Sequence, residues 1–153
     1  MTQQKIIIIG AGSTGLATAL EIAKSGKAET AILEKEYAGA GQTGQCCGFV
    51  RNFYNVPEMI ISASYSIKKI MAICKVNPEL KYEKMGLLVI DNLKNRQMIR
   101  ENIRLLRSLG VKARYLEAEK INLIRPYLLV NNSCAGYDRE AGYINPHLMA
   151  GHL

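Results

Sequence analysis

Apolar and polar positions along this chain switch between two spacings, and each switch marks an element. Ile6 to Ile9 is an unbroken branched apolar run, as expected of a strand covered on both faces, and it predicts a first strand over residues 5–9. From Ser13 to Ser25, Leu16, Ala19, Leu20 and Ala23 recur at helical spacing, and Gly26 is placed to end that helix. Residues 29–34 read as a second strand, parallel to the first by the crossover rule. After Pro57 a helix is predicted to about Lys75, with Ile60, Ile61, Ile67, Ile70, Met71 and Cys74 on its buried side and Asn77-Pro78 at its end. Short strands over 80–83 and 86–90 come next. A helix over 93–109 then turns Ile99, Ile103 and Leu106 inward and stops at Gly110. A strand over 111–116, a short helix over 117–124, strands over 133–138 and 143–145, and a helix opened by Pro146 complete the pattern.

The turn between the first strand and the first helix is Gly10-Ala11-Gly12-Ser13-Thr14-Gly15. Gly10 permits a sharp turn off the strand, Gly12 a close approach of backbone to a pyrophosphate, and Gly15 tight contact of helix with strand. The N–H groups at the helix start, about Ser13 to Gly15, face outward with the helix dipole behind them, a ready anion site. Glu34 follows Gly15 by 19 positions. That is close to the offset of about 20 residues expected for an acid that accepts from a ribose 2′-hydroxyl, and a carboxylate there disfavours a 2′-phosphate. Strand, glycine turn, helix, and second strand ending in an acid together predict a dinucleotide-binding βαβ unit.

Residues 38–50 are thick with glycine, alanine and other small side chains. Such a stretch suits a segment that passes close to a bulky cofactor, more than a plain surface loop. Arg96, Arg100 and Arg104 share a helical face, but no aromatic residue interleaves them, so a solvated face is expected rather than a phosphate track. The net charge of +7 permits acidic partners without indicating them. With 48% apolar and 22% charged residues in 153, the composition is that of a folded domain with a real core. Cys46, Cys47, Cys74 and Cys134 have no metal-like spacing, His147 and His152 do not share a helical face, and no metal site is expected. Free thiols and the lack of a signal-like segment predict a cytoplasmic protein. No apolar run approaches the ~18 residues of a membrane span.

Beyond these local readings, Gly10 to Gly15 with Glu34, Gly41-Gln-Thr-Gly44, Gly48-Phe-Val-Arg51, Gly86-Leu-Leu-Val-Ile90, Leu109-Gly-Val111, Pro126 and Gly142-Tyr-Ile-Asn-Pro146 fall in an order that resembles one family. The chain is similar to the N-terminal portion of FAD-dependent amine oxidoreductases of the D-amino-acid oxidase superfamily, above all sarcosine oxidase β subunits and dye-linked L-proline dehydrogenase β subunits. The resemblance implies an α/β fold: a Rossmann-type FAD-binding βαβ unit followed by the start of an α+β substrate domain. It implies oxidation of an amino acid or secondary amine by hydride transfer to flavin. Gly10, Ala11, Gly12, Ser13, Thr14 and Gly15 would surround the pyrophosphate, and Glu34 with the Lys35 backbone would take the adenosine ribose. Gln42, Thr43 and Gly44 would meet the cofactor from the loop, and Arg51 would pair with the substrate carboxylate, as a guanidinium suits. The resemblance names no catalytic residue among these 153. Where some relatives carry a histidine for covalent FMN, this chain has Pro146, with His147 beside it.

Family members run more than twice as long, so the chain is expected to be part of a longer protein or a short subunit completed by another chain. Residues 1–52 are expected to form the FAD-binding unit with its cofactor loop, 53–145 part of the substrate domain, and 146–153 a helix returning to the first unit. Two other readings share the first 35 residues: an NAD-binding oxidoreductase, and a non-catalytic subunit that retains the FAD fold. Nucleic acid is not an expected partner.

Overall fold

A computed structural model describes residues 4–128 and 130–153. In chain order the elements are β1 (Gln4–Ile9), α1 (Ser13–Ser25), β2 (Ala28–Leu33), α2 (Gln42–Gln45), β3 (Phe49–Val50), α3 (Pro57–Val76), β4 (Glu83–Lys84), β5 (Leu87–Asn92), α4 (Arg96–Ser108), β6 (Ala113–Glu117), α5 (Ala118–Ile124), β7 (Ser133–Asp138), β8 (Gly142–Tyr143) and α6 (Pro146–Gly151). They divide into two compact units. One comprises the chain up to Gly48 with Glu79–Lys81 and Ile144–Leu153, the other Phe49–Pro78 with Tyr82–Tyr143.

In the first unit β1 and β2 pair in parallel, from Gln4 opposite Ala28 to Ile9 opposite Leu33, with α1 as the crossover. Gly26 ends α1 in the left-handed conformation at φ 66°, which a residue with a Cβ adopts only at a cost. Leu16 of α1 is buried with Ala11 and Ala150, while Ile32 and Leu153 pack around them. The inward face predicted for α1 is narrower than the apolar spacing suggested: Leu16 is buried but Ala23, in the last turn, is exposed. β1 is likewise not covered on both faces. Ile7 is 65% and Ile9 88% exposed, and Leu33 beside them is 56% exposed, leaving one apolar face of the two-stranded sheet open.

The second unit is built on an antiparallel sheet in the order β5-β7-β6, with Leu87 and Ala113 both opposite Asp138. Ile99, Ile103 and Leu106 of α4 are buried at the predicted positions, packed with Phe53, Ile60, Val111, Ala113 and Cys134. A second cluster of Leu116, Ile121 and Ala135 includes α5. Gly136 supplies the room for Phe53, since a Cβ there would lie 2.2 Å from the ring. On α3, Ile60 and Ile67 are buried as expected, but Ile61 and Met71 are exposed. A 20-residue helix touched along one narrow line buries only the centre of its apolar stripe. The strand expected over 80–83 shrinks to β4, although Leu80 itself is buried. Arg100 of the arginine stripe pairs with Glu117 at 3.0 Å and stacks on Tyr115, so its charge is already answered within the protein.

β3, β8 and β4 form a small third sheet. One buried carboxylate holds the segment that follows β3. Asp138, fully buried, accepts from the N–H of Asn52 at 2.6 Å, from its side-chain Nδ2 at 3.3 Å and from the N–H of Glu140 at 3.0 Å. Three donors on one carboxylate offset its desolvation.

Candidate cofactor site

The glycine-rich turn predicted from sequence is the bend from β1 into α1. Gly10 stands at φ 102°, a conformation that favours glycine, and its N–H reaches the carbonyl of Leu33 at 2.8 Å. A Cβ on Gly15 would sit 2.1 Å from the Gly10 carbonyl oxygen, so the helix and the bend can be this close only without a side chain. The bend is therefore packed in the way the glycine spacing requires.

Glu34 closes one side of it. Its Oε2 accepts from the N–H of Ala11 at 2.8 Å, and its Oε1 from the N–H groups of Lys35 and Glu36 at 2.8 and 3.1 Å. These donors, Ala11 first, hold the carboxyl below the usual carboxylate range despite some desolvation. Each carboxylate oxygen can accept more than one bond, so a hydroxyl donor can still be received. The Lys35 ammonium turns instead to Glu36 at 3.4 Å.

The small-residue loop folds back onto the same bend. The N–H of Gly39 donates to the Ala11 carbonyl at 2.8 Å, and the Thr43 hydroxyl oxygen accepts from the N–H of Ser13 at 2.9 Å. Gly12 fits beneath Thr43, with its Cβ position 3.3 Å from that hydroxyl. Gly44 is packed under the ring of His147, and Gly39 against Ala150, so α6 backs the loop. Gly39 and His147 are absent from the residues expected at this site. The run of small residues hinted at the first; a histidine more than 100 positions away gave no such hint.

The structure thus gathers Gly10 through Gly15, Glu34, Thr43 and Gly44 into one region, with Lys35 and Gln42 alongside. It also shows that three N–H groups of the bend have protein acceptors, Gly10 on Leu33, Ala11 on Glu34 and Ser13 on Thr43. Among the described residues, no acceptor meets the N–H groups of Thr14 and Gly15, which open α1. A positive helix end with free donors, walled by glycines and flanked by a carboxylate, has the donor set a dinucleotide needs at its pyrophosphate and ribose. Arg51 lies in the second unit. Its guanidinium is exposed, 4.8 Å from the centre of the Tyr54 ring.

A family model described as DAO, FAD dependent oxidoreductase, matches residues 5–153. The chain belongs to this family. FAD-dependent oxidoreductase domain-containing protein 1 of Mus musculus is 25% identical over 152 residues, covering 90% of this chain and 31% of its own length. Sarcosine oxidase subunit beta of Rhizobium meliloti is 43% identical over 53 residues, 34% of this chain and 13% of that protein. Among solved structures, L-proline dehydrogenase from P. horikoshii superposes with a TM-score of 0.81 at 23% identity, over 98% of this chain and 40% of that one. Glycine oxidase from Bacillus cereus does so with a TM-score of 0.75 at 21% identity, over 99% and 42%. These likenesses show a shared fold. The chain spans less than half the length of each of these proteins. Among the described residues, no helix is long and apolar enough to cross a membrane.

Proposed function

We propose that this chain is the FAD-binding part of an oxidoreductase that oxidises an amino acid or secondary amine. The convergence of Glu34, Thr43 and the first turn of α1 on one bend carries the reading. In this reading the N–H groups of Thr14 and Gly15, with Gly12 leaving the backbone bare, hold the pyrophosphate, and Glu34 receives the adenosine ribose. Thr43 keeps the loop seated on the bend, and Gln42 and Gly44 border the cofactor. FAD, when bound, supplies the acceptor for a hydride from the amine-bearing carbon, and the imine so formed is hydrolysed by water. The exposed Arg51 offers a permanent, forked charge to the substrate carboxylate. The second unit forms part of the substrate domain. A further segment or partner chain covers the open face at Ile7, Ile9 and Leu33, because an apolar sheet face of this kind is rarely left in water. The free thiols, two of them exposed, suit the reducing cytoplasm.

NAD shares the first 35 residues of the motif, but the loop after β2 supports FAD. A nicotinamide-type unit continues into a helix and a third parallel strand, whereas here the chain returns through Gly39 and Thr43 to the bend. The test is an FAD titration of the purified protein followed by flavin fluorescence and visible absorption. Saturable quenching, not displaced by NAD, is expected. Binding of NAD with no effect of FAD would overturn the assignment.

A further inference from the structure

The second unit carries a cluster of positive charge that the oxidoreductase reading does not use. Lys84, Lys112 and Arg139, with Glu140, line a depression of about 260 Å³. The three cations come from three different places: β4, the approach to β6, and the turn after β7. All three are exposed, and among the described residues no carboxylate forms an ion pair with any of them.

Their backbones are held in place by other interactions. The ladder of β6 with β7 ends at Ala113 opposite Asp138, and the next positions along that register are Lys112 and Arg139. Like charges placed side by side across strands repel. Lys84 is paired with Gly142, whose missing side chain leaves room for the Glu83 carbonyl, 2.4 Å from where a Cβ would stand. The turn between β7 and β8 is tied by Asp138 to the N–H of Glu140, and by the Tyr82 hydroxyl donating to the Glu140 carbonyl at 2.7 Å. Hydrogen-bonded strands and a buried carboxylate therefore fix the backbone from which three like charges project around one depression. A multivalent anion would relieve that repulsion; a rigid strand frame cannot.

We propose that Lys84, Lys112 and Arg139 form a binding site for a phosphate group, either free phosphate or a phosphate carried on a small molecule. The depression holds one such group. A nucleic-acid backbone would need a longer track of cations, with aromatic rings for the bases. Glu140, the acid among the lining residues, opposes any anion, and a dianion that engages three cations at once gains the most attraction to set against it.

The site is tested by following backbone amide resonances while inorganic phosphate is added at constant ionic strength. Phenyl phosphate in a parallel titration distinguishes a free from a carried phosphate by which of the two binds more tightly. Saturable shifts at Lys84, Lys112, Arg139 and Glu140 are expected, weakened about tenfold or more in K112Q/R139Q. The same variant should melt higher than the parent without phosphate, since a repulsion has been removed, and should lose the phosphate-induced rise in Tm. Should K112Q/R139Q perturb folding, K84Q must show the same loss of affinity. Shifts confined to residues 12–15, equal shifts with chloride, or undiminished binding by the variants would overturn the proposal. The first of these outcomes places phosphate on the mouth of α1 and leaves the FAD reading intact.

Discussion

The Glu34 carboxylate receives the N–H of Ala11 at 2.8 Å, joining the end of β2 to the middle of the glycine-rich bend across 23 positions of sequence. The same side chain turns back on Lys35 and Glu36. An acid expected to bind a ribose hydroxyl therefore also holds the shape of the bend that faces the pyrophosphate. One substitution should disturb both.

Replacing Glu34 by Gln leaves one acceptor oxygen where three donors converge. FAD affinity should fall about tenfold or more, as expected when a charged acceptor is lost. Because the native carboxyl sits below its ordinary range, its contribution is full above the unfolded-state value and fades as pH falls through the native one. The parent should lose more stability on acidification through that range than E34Q, which keeps only the other lowered carboxylate, Glu79. Thermal melts at a series of pH values check this, and parallel curves for the two proteins would refute it.

Gly15→Ala places a methyl group 2.1 Å from the Gly10 carbonyl oxygen, a backbone atom that cannot swing aside. The expected cost is about 2 kcal/mol or more, with loss of FAD binding. Gly12→Ala meets only the Thr43 hydroxyl, at 3.3 Å, and should be milder in stability. Denaturant unfolding of the two variants compares them; equal destabilisation would show that the bend relaxes.

Asp138→Ala strands the Asn52 N–H in a buried place and the Glu140 N–H in a half-buried one. Stability should drop by about 3 kcal/mol, the usual result of removing a buried charged acceptor. Tyr82, whose hydroxyl is pushed up to about 12 by burial and then by the Asp138 charge, should titrate lower once that charge is gone. Urea unfolding and ultraviolet titration of tyrosine supply the two readouts.

His152 has an acceptor at each ring nitrogen, the Leu148 carbonyl at Nδ1 and the Glu79 carboxylate at Nε2. Only the protonated ring donates to both, so this pair of acceptors favours the imidazolium. Its pKa is raised, by the Leu148 carbonyl first and Glu79 second, while that of Glu79 is lowered, by its own backbone N–H and then by His152. A raised histidine stabilises fully below its unfolded value and loses the contribution as pH rises through the native one. The lowered carboxylate loses its part only on acidification. The contact should be strongest between the carboxylate and imidazole ranges and weaken as pH rises through the raised imidazole range. Imidazole carbon and nitrogen shifts followed through that range should report a raised midpoint, which falls in E79Q but stays above the ordinary value because the Leu148 carbonyl remains.

How much was legible in the sequence follows from the range over which each signal acts. Apolar spacing and glycine placement are local, and they located β1, α1, β2 and the bend at residues 10–15 within a residue or two and α4 within three, because strand and helix repeats and the demand for a bare Cα act over a few neighbours. The family's order of motifs reached further, to the loop at 41–44. What depended on partners distant in the chain was decided by tertiary packing. That Thr43 would cap Ser13, that Asp138 would clasp Asn52 across 86 positions, and that His147 would fill the space above Gly44 follow from which surfaces meet, and no local period records that. The same reason explains Ala23 and Ile61, apolar at the right spacing yet exposed: periodicity determined where a helix could be covered, and only the width of the surface opposite decided how much of it was.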